Sequence, residues 1–139
     1  MAKALLVALL LIMSPVALSA DTREDDFNLF TAAVVGDEIG ARVALMRGAN
    51  VHFWEDAPLR HAVRWGNTKV VEVLLEYKAN VRVWNNFPLL SALEHGHLEV
   101  VMLLLSYGAN ICAVKPEAAK TKELARFVKQ GQEWARCKR

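Results

Sequence analysis

Residues 56–67 read Asp56-Ala57-Pro58-Leu59-Arg60-His61-Ala62-Val63-Arg64-Trp65-Gly66-Asn67. Asp56 suits a helix N-cap, and Pro58 falls in the first turn, where its missing N–H does little harm. Leu59, Ala62 and Val63 form an i, i+3, i+4 apolar stripe. Gly66 is a natural helix end, and Asn67 can cap a second helix. That second segment, with Val70, Val71, Val73, Leu74 and Leu75, carries a broad apolar face. Two helices of about ten residues are marginal in isolation, so their faces require neighbours.

The neighbours are copies of the same unit. Leu29, Leu59 and Leu89 stand thirty residues apart, as do Ala32, Ala62 and Ala92. Gly36, Gly66 and Gly96 keep the spacing, and so do Leu45, Leu75 and Leu105. Asn50, Asn80 and Asn110 each follow an alanine, and Asp26, Asp56 and Asn86 make a further column. A single phase held through so many columns indicates stacked supersecondary units. Each unit is expected to be two short helices and an extended connector, over about 26–55, 56–85 and 86–114.

The stretch Ala57 to Asn67 resembles the T-P-L-H-x-A-x-x-x-G-H segment of the ankyrin repeat. Lys69 to Leu75 is similar to that family's E-V-V-x-L-L helix, and Gly96 to Asn110 follows the family nearly residue for residue. The resemblance implies an all-α solenoid of stacked helix-turn-helix units with short hairpin connectors. The period is 30 rather than the family's usual 33, with the loss placed between Val51 and Pro58. Ala57 and Phe87 replace the family's Thr, and Arg60 and Leu90 its His. Lys78 stands where Gly48 and Gly108 make the turn, which predicts a left-handed lysine there.

The ends differ from the repeats. Near the start, Lys3 precedes the apolar run Leu5 to Met13, Ser14-Pro15 breaks it, and Ala17-Leu18-Ser19-Ala20 is small and cleavable. This predicts a signal peptide over 1–20, cut after Ser19 or Ala20. The alternative is an uncleaved membrane anchor, but the run is shorter than the ~20 residues a spanning helix needs. Cleavage would leave a charge of +1 in place of the full chain's +2. Residues 115–139 read as a helical cap opened by Pro116, with Leu124, Phe127 and Val128 as its apolar stripe. Gly131 is taken as its end, in preference to one long helix through Trp134.

Composition narrows the function classes. Hydrophobic residues make up 54% of 139 and charged residues 23%, which suits a folded domain and not a disordered chain. The small net charge removes the main argument for nucleic-acid binding. Acids gather at 21–38 and bases at 115–139, as polar ends of a stack would. Ser91 and Ser106 lie inside repeat helices, outside any nucleophile motif. His95-Gly96-His97 is the one metal-like cluster, and a third ligand is not indicated. Cys112 and Cys137, an even pair, are a disulfide candidate in an exported chain.

The expected function is therefore a non-catalytic protein-interaction module outside the cytoplasm, periplasmic or secreted. It needs no cofactor or metal, has no membrane contact after cleavage, and is monomeric. An adaptor, a chaperone-like factor or an inhibitor fits, an immunity-type inhibitor of an exported toxin being one form; an enzyme or metalloprotein with an unrecognised site is the competing class. The resemblance implies binding through the connector tips and the exposed face of each first helix. Carried over by position, these are Trp54, Glu55, Arg64, Trp65 and Tyr77, then Trp84, Asn85, Glu94, His95 and Tyr107, with Val34 and Val35 in the first unit.

Overall fold

The computed structural model describes residues 22–137, so the expected signal peptide lies outside the described residues. Six helices pair in order: α1 (Thr22–Val35) with α2 (Glu38–Met46), α3 (Phe53–Trp65) with α4 (Thr68–Glu76), and α5 (Val83–His95) with α6 (Leu98–Ser106). Two short 3-10 turns, Ile111–Ala113 and Pro116–Ala118, lead to α7 (Lys122–Trp134). No strand occurs among the described residues.

The repeat columns are the core. Leu29, Leu59 and Leu89 are wholly buried, as are Ala33, Val63 and Leu93 from the same faces. Each fully buried leucine contributes about 1.5–3 kcal/mol relative to exposure. Ala62 and Ala92 are also closed off, and Val70, Val71 and Leu74 fill the second-helix side.

Backbone closure repeats as well. The N–H of Asn67 bonds Ala62 O at 2.9 Å and that of His97 bonds Ala92 O at 2.9 Å, ending each first helix. The second helices close in the Schellman manner, with Ala79 N–H on Leu74 O at 2.9 Å and Lys78 N–H on Leu75 O at 3.0 Å. Lys78 has φ +68°, the left-handed residue its column requires.

The connectors differ from an extended hairpin, and the two aspartate and asparagine caps act elsewhere than expected. Trp54, Glu55 and Asp56 have φ of 46°, 56° and 57°, a left-handed turn that Trp84, Asn85 and Asn86 repeat. The turn lies in the segment that is three residues short, and so takes up the missing length. Asp56 is thus not an extended N-cap for its own helix. Its Oδ1 accepts the backbone N–H of Asn80 at 2.7 Å. Asp26 does the same for Asn50 at 2.6 Å and Asn86 for Asn110 at 2.8 Å. Each asparagine so held then accepts the N–H two residues on, from His52, Arg82 and Cys112, all at 3.0 Å. The column fastens each connector to the helix pair before it.

Asn67 likewise makes no side-chain cap to α4. Its Nδ2 donates back to Ala33 O at 2.8 Å and Val34 O at 3.2 Å. His97 Nε2 reaches Arg64 O at 3.0 Å in the same way. These side chains cross Gly36 and Gly66; a Cβ on Gly66 would lie 2.6 Å from His97 Nδ1. The glycine column therefore serves the approach of the next repeat as well as the turn.

At the far end, the expected break at Gly131 is not observed: α7 runs through it to Trp134. A Cβ there would meet Ile111 Cδ1, so glycine permits a close crossing and does not end the helix. Thr121 caps α7 through Leu124 N–H at 3.2 Å, and Leu124 and Val128 are buried. Gln132 Nε2 donates to Ile111 O at 3.0 Å and Val114 O at 2.7 Å. A disulfide joins Cys112 to Cys137, with Cα atoms 5.5 Å apart.

Candidate interaction face

The left-handed turns carry Trp54 and Trp84 outward at one end of the first helices, 58% and 54% exposed. A left-handed conformation costs an L-residue about 1–2 kcal/mol, so a run of three needs support. Arg60, one turn into α3, provides it. Its Nη2 donates to Trp54 O at 2.9 Å and its Nε to Glu55 O at 3.0 Å. The same guanidinium lies 3.8 Å from the centroid of the Trp84 ring in the next repeat. Trp84 Nε1 in turn donates to Glu55 Oε2 at 2.9 Å. A single arginine ties two carbonyls to one indole, and that indole holds the Glu55 carboxylate. Leu90 stands at the equivalent place in the third unit and has no donor to offer.

Trp54 has a different setting. It stacks on Phe53 at 4.4 Å between centroids and meets Phe27 and Phe30 edge-on at 5.3 and 5.9 Å. Phe30 also meets His61 at 5.0 Å, and Trp84 meets Phe87 at 5.8 Å. The outcome is an aromatic strip along the starts of the three first helices. Beside it, His61 is held below its ordinary range, first by burial and then by the charges of Arg60 and Arg64. It is therefore a neutral ring at neutral pH, with cationic side chains one residue before and three after it.

The ten residues carried over by position do not form one patch. Trp54, Glu55, Trp84 and Asn85 share the tip end, and Tyr77 and Tyr107 close the second helices that return towards it. Arg64, Trp65, Glu94 and His95 lie at the other end of the first helices. The nine-residue span Ala57–Trp65 separates the two groups by about 13 Å at 1.5 Å per residue. All ten are exposed, Trp65 at 60%. In the first unit Val35 is exposed and Val34 only partly so. His95 and His97 stack at 6.0 Å, and each uses one ring nitrogen on a backbone carbonyl: Ser91 O at 2.8 Å and Arg64 O at 3.0 Å.

Residues that link the two ends, Arg60 and His61, and the flanking Phe27, Phe30, Phe53 and Phe87 were not among those expected. Their columns mix types, as in Phe30, Arg60 and Leu90, and such variation in a repeat marks a half-buried position at the edge of the core rather than inside it. Among the described residues no helix is long and apolar enough to cross a membrane. A family model described as ankyrin repeats, in three copies, matches residues 29–115. No curated protein matches the sequence.

Proposed function

The chain belongs to the ankyrin repeat family, a protein-interaction family, and from that premise we propose that it acts outside the cytoplasm as an adaptor, chaperone-like factor or inhibitor of another protein. The partner is bound on the first-helix face, with Trp54 and Trp84 as its anchors. The observation that carries this is the pair of half-exposed indoles on left-handed turns, one held by phenylalanines and the other by Arg60 and Glu55. Aromatic side chains already fixed in place lose little entropy on binding, and Trp and Arg are over-represented among interface hot spots. No chemistry is required of the face, and its groups are arranged to hold one another.

A photo-crosslinking residue at position 85, next to Trp84, tests the face in the native host. One specific partner should be captured and lost in Trp84→Ala, while the same probe at Glu72, on a second helix, captures nothing. Equal capture from both positions would remove the face from consideration. Export is tested separately by fractionation and intact mass: the chain should begin at Ala20 or Asp21, and a cytoplasmic chain of uncleaved mass would refute it.

A further inference from the structure

We propose that the open end of the first repeat is a second binding site, and that it takes a primary alkylammonium group, presented as a lysine side chain flanked by apolar residues of a partner. The site is separate from the Trp54–Trp84 face and does not depend on it.

The middle helix pair is covered on both sides by its neighbours. Val73 is fully buried, whereas Val43, thirty residues earlier, is 41% exposed, because no helix pair stacks on that side among the described residues. A groove of about 310 Å³ runs there between α1 and α2. Ala32, Val35, Val43 and Ala44 supply apolar walls, Asp25 and Asp37 supply carboxylates, and Arg47 also lines it. Asp37 is already engaged, since its Oδ1 accepts the N–H of Gly40 at 2.9 Å. Asp25 is not. It is 2% exposed, and its Oδ2 has no hydrogen-bond partner.

Arg47 does not satisfy Asp25. Its Nη1 stands 3.8 Å from Oδ1, beyond hydrogen-bond length, and its side chain is 60% exposed. A buried carboxylate oxygen without a donor is uncommon in folded proteins and favours any donor that can reach it. An ammonium supplies three donors and a charge, and its methylene stem suits the apolar walls. Two carboxylates, one of them committed, fall short of the oxygen set a divalent ion takes. The surroundings point to a protein-borne amine: Val35 lines the groove, Ile39 and Met46 neighbour its lining residues Gly40 and Arg47 along α2, and the three are 69%, 75% and 77% exposed, free to cover the residues beside the lysine.

The test is an amide NMR titration of the labelled protein with three probes. These are acetyl-Leu-Lys-Leu-amide, the same peptide acetylated on its lysine nitrogen, and 1,5-diaminopentane. The lysine peptide should give saturable shifts at Ala32, Val35, Gly40 and Ala44. Acetylation, or Asp25→Asn, should weaken it about tenfold or more, the usual worth of a charge-assisted hydrogen bond. The diamine should bind at the same amides but about tenfold more weakly; equal affinity would assign the site to a free amine and overturn the protein-borne source. Should Asp25→Asn not fold, the exposed pair Ile39→Ser and Met46→Ser serves instead, and should erase the peptide's advantage over the diamine. No saturable shift, or shifts unchanged by these variants, would overturn the site. Trp84→Ala should leave the titration unchanged whether or not the aromatic face binds a partner.

Discussion

The guanidinium of Arg60 lies 3.8 Å over the ring of Trp84 while donating to the carbonyls of Trp54 and Glu55. One side chain thus joins the backbone of the Trp54 turn to the Trp84 indole across a repeat boundary. Arg60→Ala should lower stability by about 1–2 kcal/mol, from the lost charge-assisted bonds and cation–π contact. Arg60→Lys should recover only part, since an ammonium cannot span two carbonyls and a ring. Urea unfolding measures the first effect, and quenching of Trp84 by acrylamide, expected to rise in both variants, the second.

The Asp26, Asp56, Asn86 column gives a sharper substitution test. Asp56→Asn should change stability by less than about 0.5 kcal/mol, because Asn86 makes the same bond to Asn110 with an amide oxygen. Asp56→Ala leaves the Asn80 N–H without its acceptor and should cost about 1–3 kcal/mol. Equal losses in the two variants would show that the charge on Asp56, near His52 at 3.0 Å, matters more than the connector bond.

Lys78→Gly should be neutral or stabilising by up to about 1 kcal/mol. The left-handed φ of +68° disfavours lysine, and the greater freedom of glycine in the unfolded chain offsets part of the gain. A lower urea midpoint in this variant would contradict the reading.

His61 should make stability depend on pH. Its folded value is lowered, so the unfolded chain binds a proton more readily. The contribution is fully present above the ordinary histidine value near 6.5, and is lost as pH falls through the lower folded value. His61→Gln should flatten the fall in melting temperature between about pH 6.5 and 5 relative to wild type. The effect should be small, because the ring is only partly buried.

Reduction of Cys112–Cys137 should lower stability by about 3.5 kcal/mol in the chain-entropy model for a crosslink of sequence separation 25. α7 should stay docked through Leu124, Val128 and Gln132. Far-UV circular dichroism of the Cys112→Ser, Cys137→Ser protein would then keep its helical signal at 25 °C with a reduced melting temperature.

How much of this was legible beforehand depends on distance along the chain. Leu29, Leu59 and Leu89 are in phase, and a phase of thirty with helical stripes inside it admits little but a stack of helix pairs. The sequence by itself therefore determined the helices, their order, the leucine and alanine core, and the left-handed turn at Lys78, which follows from Gly48 and Gly108 by register. What only the tertiary structure decided involves partners from another repeat. Asp56 looked like a cap for its own helix, but bonds a backbone group 24 residues on, because the stacking of the repeats brings Asn80 against it, as it brings Asn50 against Asp26. Arg60 looked like a lost histidine until Trp84 was seen beneath it, and Gly131 like a helix end until Ile111 was seen against it. Local propensity prices each residue against its own helix. These three are placed by donors, rings and methyl groups that only stacking brings within reach.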